Sequence, residues 1–289
     1  MLAQFLINGL ITGLLYSLLA IGFALVYNTT HIFHIAAAGI YVFAAYMFWW
    51  LAAGCGVPTL LAALLAILLT MGLSWLSEAG VYRPIRKKNA SLSVMMIASI
   101  GLMTVLVNLI AMVFGNETKV VENAILPTYA LGSLIVTTPQ LYQLAVSIIA
   151  ICAFLILLAR TRLGLRFRAL SADGTLYETL GYDKQRTFSL AFLVSGLFIG
   201  LASCLTVYDV GMDPHMGMNV LINAMVAMII GGAGRYGTCV LGGLLLGVLQ
   251  SLTVYQFSSN WQNAITFILL LGFLFLRPQG IAGYKQRAV

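Results

Sequence analysis

Residues 231–237 read Gly-Gly-Ala-Gly-Arg-Tyr-Gly, and Gly232, Gly234 and Gly237 have the G-x-G-x-x-G spacing. In a soluble protein that spacing lets a turn and a helix N-terminus approach a dinucleotide pyrophosphate. It does so only after a strand, with an acidic residue about 20 positions further on. Neither condition is met. The flanks are apolar runs of membrane length, and no Asp or Glu follows Asp213. The glycines fit close helix packing instead. Gly231, Gly232, Gly234, Gly242, Gly243 and Gly247 form a run of small residues, and Gly243 with Gly247 makes a G-x-x-x-G that lets backbones approach in lipid. Gly9/Gly13 and Gly196/Gly200 repeat the spacing.

Other chemistry is excluded by the same kind of inspection. There is no H-E-x-x-H and no G-x-S-x-G. No Lys is followed by Ser or Thr, so a Walker A loop is absent. His31, His34 and His215 have no Cys or carboxylate at ligand spacing, and no metal site is expected. Cys55, Cys152, Cys204 and Cys239 are scattered and read as small hydrophobes. The chain is not expected to be an enzyme or to hold a cofactor. Its apolar runs do contain amides and hydroxyls: Asn8, Ser17, Asn108, Asn219, Asn223 and Gln250. These either line a path for a small polar solute or hydrogen-bond between helices. His34, Asn219 and Asn223 are the candidates for the path.

These residues must be positioned by elements that live in lipid. Of 289 residues, 61% are hydrophobic and 8% charged, and mean hydropathy is +1.00. Soluble domains carry about 25% charged residues. The net charge of +7 sits in loops between apolar runs, which argues for membrane topology rather than nucleic acid. Spans need about 20 mostly apolar residues. Candidates are 3–27, 33–53, 58–79, 91–114, 140–160, 189–208, 218–233, 238–257 and 261–277; 33–53 and 218–233 could be broken or re-entrant. The first has no basic segment before it and reads as a retained span rather than a cleaved signal. Continuous apolar runs favour helices over a barrel. The expected fold is all-α and polytopic, with about nine transmembrane helices (range 8–10).

Charge sets the orientation. Every Lys and Arg except Lys119 falls on one side if the loops at 80–90 and 160–188, the Arg235 turn and the C-terminus share it. That side is then cytoplasmic, with the N-terminus outside and the C-terminus inside. The span interiors hold no Asp, Glu, Lys or Arg, with Glu78, Arg160 and Arg277 read as lying at ends. This weighs against proton coupling. An internal echo adds symmetry: Val26-Tyr27-Asn28 with His34 after the first span, and Val207-Tyr208-Asp209 with His215 after the sixth. The two copies would be inverted, as in many transporters.

One stretch breaks the apolar pattern. Residues 160–186 hold nine of the chain's 23 charged residues. Within it, Thr175 and Glu178 have capping-box spacing and Gly181 has the place of a C′ glycine, which predicts one short helix at about 175–180. Leu176, Tyr177 and Leu180 give it an apolar side. So short a helix needs something packed on it. It is either a membrane-surface loop or a docking element for a cytoplasmic partner.

At these residues the chain resembles the permease subunits of the branched-chain amino acid (Liv-type) ABC importers. Val81–Gly101, with its Tyr-Arg-Pro, is similar to that family's loop and following span. Leu163–Asp183 resembles its cytoplasmic loop, Ile229–Gly247 its glycine-rich segment, and Leu276–Gly283 its Arg-Pro-x-Gly tail. The resemblance implies a single permease domain over 1–289 in the inner membrane of a bacterium. Residues 1–114 would be the first half-repeat, 140–160 the connecting span, 161–188 the cytoplasmic coupling loop and 189–289 the second half-repeat. It implies partners: cytoplasmic ATP-binding subunits carrying ATP and Mg, a second permease subunit (the same or homologous), a periplasmic solute-binding protein, and lipid. It places Asp173, Leu176, Glu178, Leu180 and Gly181 in the element that couples to the ATPase. Two departures stand out. Ile35, Ala37 and Ala38 occupy a segment where many members have Asn-x-Ala-His/Gln before Gly39, and Arg235 replaces a small hydroxyl residue. The expected activity is alternating-access import of a small polar solute: an amino acid, branched-chain ones included, or a related small amide such as urea. The alternative is a stand-alone channel or ion-coupled carrier.

Overall fold

The structure is a computed structural model, and it describes residues 2–121, 128–131, 134–232, 234, 236–277 and 280–281. Arg235, Lys285 and Arg287, counted above for orientation, lie outside the described residues. Helices α1 (Leu2–Thr30), α2 (Ala37–Trp49), α3 (Thr59–Ser77), α4 (Arg83–Lys87) and α5 (Leu92–Phe114) come first. A hairpin of β1 (Thr128–Leu131) and β2 (Leu134–Thr137) follows, antiparallel, with Tyr129 opposite Val136. Then come α6 (Thr138–Arg160), α7 (Arg162–Ala172), α8 (Gly174–Thr179), α9 (Lys184–Val210), α10 (Met216–Gly231), α11 (Tyr236–Gln256) and α12 (Gln262–Leu276). Among the described residues, eight helical segments are long and apolar enough to cross a membrane, and Met216–Gly231 is a shorter apolar one. The chain is a polytopic all-α membrane protein. Large apolar side chains left bare along α3, α5, α6 and α12, such as Leu60, Ile97, Ile149 and Phe275, suit a hydrocarbon solvent.

Three segments differ in detail from their expected bounds. The predicted span 58–79 does not stop there. A π turn over Glu78–Tyr82, in which the Arg83 N–H reaches the Glu78 carbonyl, carries the helix on into α4, so the segment runs Thr59–Lys87. Glu78 therefore lies inside a continuous helix, just past the end of α3, and is buried. The predicted span 218–233 is a helix of 16 residues, about 24 Å long and short of the hydrocarbon thickness. It ends where Gly232 turns to φ +99°. Lastly, 160–173 is not a plain loop but α7, an amphipathic helix that buries Gly164, Phe167 and Leu170.

The chain divides into two compact units, Leu25–Asn123 with Ile156–Leu221, and Met1–Ala24 with Ala124–Leu155 and Ile222–Val289. In the first, α2, α3 and α9 pack on one another. Ser74 Oγ donates to the Phe192 carbonyl at 2.6 Å and Ser203 Oγ to that of Tyr41 at 2.8 Å, so buried hydroxyls are satisfied by neighbouring backbone. Gly196 faces Ser74 and Met71, and Gly200 faces Thr70 and Ile67, at distances that leave little room for a side chain. In the second unit α1 packs on α11 by the same device. Gly243 and Gly247 lie against Ser17, Gly13 and Gly9, and Ser17 Oγ hydrogen-bonds the carbonyls of Gly13 and Val240.

Candidate coupling surface

Four helix starts in the first unit are capped by side chains: Ser91 for α5, Thr161 for α7, Asp173 for α8 and Asp183 for α9. Each satisfies N–H groups that an uncapped start would leave bare. For α8 the cap is Asp173, not the expected Thr175. The Asp173 carboxylate accepts from the Thr175 and Leu176 N–H at 2.8 and 3.0 Å and from the Thr175 hydroxyl. A carboxylate two residues earlier offers more acceptor capacity than the threonine, so it takes the cap. Those bonds, led by the Thr175 hydroxyl, hold the Asp173 carboxyl below its ordinary pKa. Glu178 is consequently free of a capping-box role and pairs with Lys184 at 2.9 Å. Gly181 does terminate the helix, at φ +81°.

Six residues of helix would not persist alone. Tyr177 holds α8 in place. It is buried, its hydroxyl is 2.9 Å from that of Thr187 in the first turn of α9, and its ring stacks on Tyr182 at 5.1 Å. Phe188 and Leu170 complete this small core. The opposite side of α8 is bare: Leu176 is 57% and Leu180 66% exposed, with Tyr182 exposed beside them. The sequence-predicted residues Asp173, Leu176, Glu178, Leu180 and Gly181 thus gather on one fixed knob.

Below the knob lies a residue the sequence reading passed over. Glu78 is fully buried and accepts from Ser189 Oγ at 2.9 Å, from Gln185 Nε2, and from Arg86 at 3.4 Å, with Arg83 at 3.8 Å. Arg83 also donates to Ser189 and Arg86 to Gln185, both at 3.2 Å, and the Arg86 guanidinium lies 4.2 Å over Phe188. Arg83 is five residues from Glu78. On a straight α-helix that is about 140° round the axis, whereas the π turn brings the two to one face. A Glu followed at five and eight residues by Arg was the available signal. It is silent unless the turn is π.

Of the candidate path residues, Asn219 and Asn223 stand one turn apart on α10. His34, between α1 and α2, is buried with its Nδ1 2.9 Å from the Tyr82 hydroxyl, which donates to Ser99 at 2.7 Å; Ser99 accepts the Ala36 N–H. The other ring nitrogen of His34, Nε2, has no hydrogen-bond partner among the described residues. Asn219 is exposed on α10. Asn223, in the other unit, joins Tyr16, Gln250 and Thr266 in a buried cluster of amides and hydroxyls. Among the glycines, Gly231 and Gly242 pack α10 on α11, Gly232 meets Gly280, and Gly234 (φ +105°) is exposed at the turn. No group of three or more His, Cys, Asp or Glu suited to a metal occurs among the described residues.

Comparison with known proteins agrees with this architecture. The chain is 27% identical over 297 residues to the high-affinity branched-chain amino acid transport system permease protein LivH of Salmonella typhimurium, covering 98% of this chain and 96% of that one. It is 26% identical to a probable branched-chain amino acid transport permease protein LivH of Methanocaldococcus jannaschii, over 92% of this chain and 88% of that one. A more distant match, 28% identical over 45% of this chain and 41% of the other, is the D-allose transport system permease protein AlsC of Escherichia coli. A solved structure, PsaBC from Streptococcus pneumoniae in complex with Fab, shares the fold at a TM-score of 0.54 and 15% identity, covering 96% of this chain and 93% of that chain. A family model described as the permease component of branched-chain amino acid transport systems matches residues 5–274, and with it this multi-pass, helically packed chain belongs to that family of transport permeases.

Proposed function

We propose that this permease serves an ATP-driven importer in the cytoplasmic membrane of a bacterium, with ATP and Mg held by separate ATP-binding subunits that grip α8. The observation that carries the reading is the pairing of a fixed inner face on α8 with a bare outer one. Tyr177 and Lys184 hold the helix, while Leu176 and Leu180 are left uncovered. Exposed leucines on a knob among cytoplasmic charges cost free energy unless a partner covers them. A second permease subunit and a periplasmic solute-binding protein would complete the assembly. The solute enters from the binding protein and crosses by alternating access. Its class is that of an amino acid, in keeping with the names of the relatives, or of a related small amide.

The proposed division into half-repeats, 1–114 and 189–289 around the span 140–160, draws support from the packing. The first helix of each half lies by its G-x-x-x-G on the third helix of the other: α1 on α11 in one unit, α9 on α3 in the other.

The test is to replace Leu176 and Leu180 together with Asp and to purify the complex through a tag on this chain. The ATP-binding subunits should be lost and uptake with them. Their retention with undiminished uptake would sink the docking reading.

A further inference from the structure

The contact between α3 and α9 changes character along its length. From Ile67 to Ser74 it is a close backbone seam, with Gly200 and Gly196 against Thr70 and Ser74. Beyond Phe192, toward the start of α9, no glycine continues the seam. There the two helices are joined by polar atoms converging on Glu78: Ser189 and Gln185 from α9, Arg83 and Arg86 from α4. This is the same part of α9 that carries α8, through Thr187 and Lys184. A buried carboxylate is costly in an apolar surrounding unless its charge and lone pairs are met. Here both oxygens are met, and half of the partners come from the other helix. A π turn, a local departure often found at functional positions, is maintained to place them.

We propose that Glu78 is a positioning residue of the transport cycle. It clasps the first turns of α9 to the inner end of α3, so that a displacement imposed on α8 moves α3 and α9 as one body instead of fraying the start of α9. Glu78 touches neither solute nor nucleotide and acts through Gln185 and Ser189. The proposal rests on the reading of α8 as the motor contact.

The decisive variant is Gln185→Ala with Ser189→Ala. It removes the α9 side of the clasp and leaves Glu78 paired with Arg83 and Arg86, so no buried charge is orphaned. The complex, with its ATP-binding subunits and the binding protein, is reconstituted in proteoliposomes. Subunit retention, ATP hydrolysis and solute uptake are measured together. The expected result is full retention and continued hydrolysis, with uptake per ATP down roughly tenfold. Ser189→Thr, which keeps the hydroxyl, should behave as the parent. Uptake per ATP equal to the parent overturns the proposal. Loss of the ATP-binding subunits overturns it too, because the clasp would then only shape the docking surface. Failure of the docking reading shows separately, as retention of those subunits by the Leu176/Leu180 variant.

Discussion

The hydroxyls of Tyr177 and Thr187 lie 2.9 Å apart in a buried contact that fastens α8 to α9. Thr187 Oγ1 also donates to the Asp183 carbonyl at 3.2 Å, so Tyr177 supplies the donor that completes a short chain from α8 to the α9 cap. Tyr177→Phe keeps the ring and its stacking on Tyr182 but removes that bond. A net loss of about 1 kcal/mol in docking of α8 is expected. In the assembled importer this should read as a severalfold fall in uptake with the chain still folded. Tyr177→Ala also removes the ring from its core with Leu170 and Phe188, and its effect should be larger. Uptake by Tyr177→Phe indistinguishable from the parent would show that stacking alone seats the helix.

The cap of α8 gives a pH dependence of known sign. The Asp173 carboxyl is held below 3.8 by the Thr175 hydroxyl first and then by the Leu176 and Thr175 N–H groups. A lowered pKa means that the cap contributes fully above the unfolded value. The contribution is lost as pH falls through the folded one. Mobility of a spin label at position 180 should therefore be constant down to about pH 4 and rise below it. Asp173→Asn retains a capping oxygen that does not titrate, and its signal should rise less than the parent's over that range. Asp173→Ala should show the mobile signal already at neutral pH.

Much of this was legible in sequence because lipid imposes simple rules. Apolar runs of spanning length located the long helices, and the placement of Lys and Arg marked the stretch where α7 and α8 stand. Gly181 announced the end of α8 because few other residues adopt its backbone angles without strain. What escaped notice had physical reasons. The Thr175 capping box was displaced by a better acceptor at Asp173, a competition that spacing cannot rank. Glu78 looked like a span end because a charge normally marks one. In the fold, its partners sit eight residues on at Arg86 and more than a hundred away at Gln185 and Ser189, a distance no local pattern covers. His34 has a histidine's usual ambiguity, and only the fold shows it tied to Tyr82 and Ser99.

The α1–α11 contact offers a test of the glycine packing with an internal control. A Cβ on Gly247 would strike the backbone of Gly13 and Gly9, neither of which can swing aside as a side chain could. Gly272, also in a helix of that unit, would place a Cβ with nothing within 4 Å. Both replacements by Ala gain similar helix propensity, about 1 kcal/mol in each case. They differ in the room available. Gly247→Ala should destabilise by about 1–3 kcal/mol through overpacking, offsetting the propensity gain and lowering the unfolding temperature of the detergent-purified protein. Gly272→Ala should leave that temperature unchanged or raise it. Because the two differ only in what their added methyl meets, equal unfolding temperatures would mean that α1 and α11 can part at the G-x-x-x-G without cost. The small residues there would then serve some purpose other than close approach.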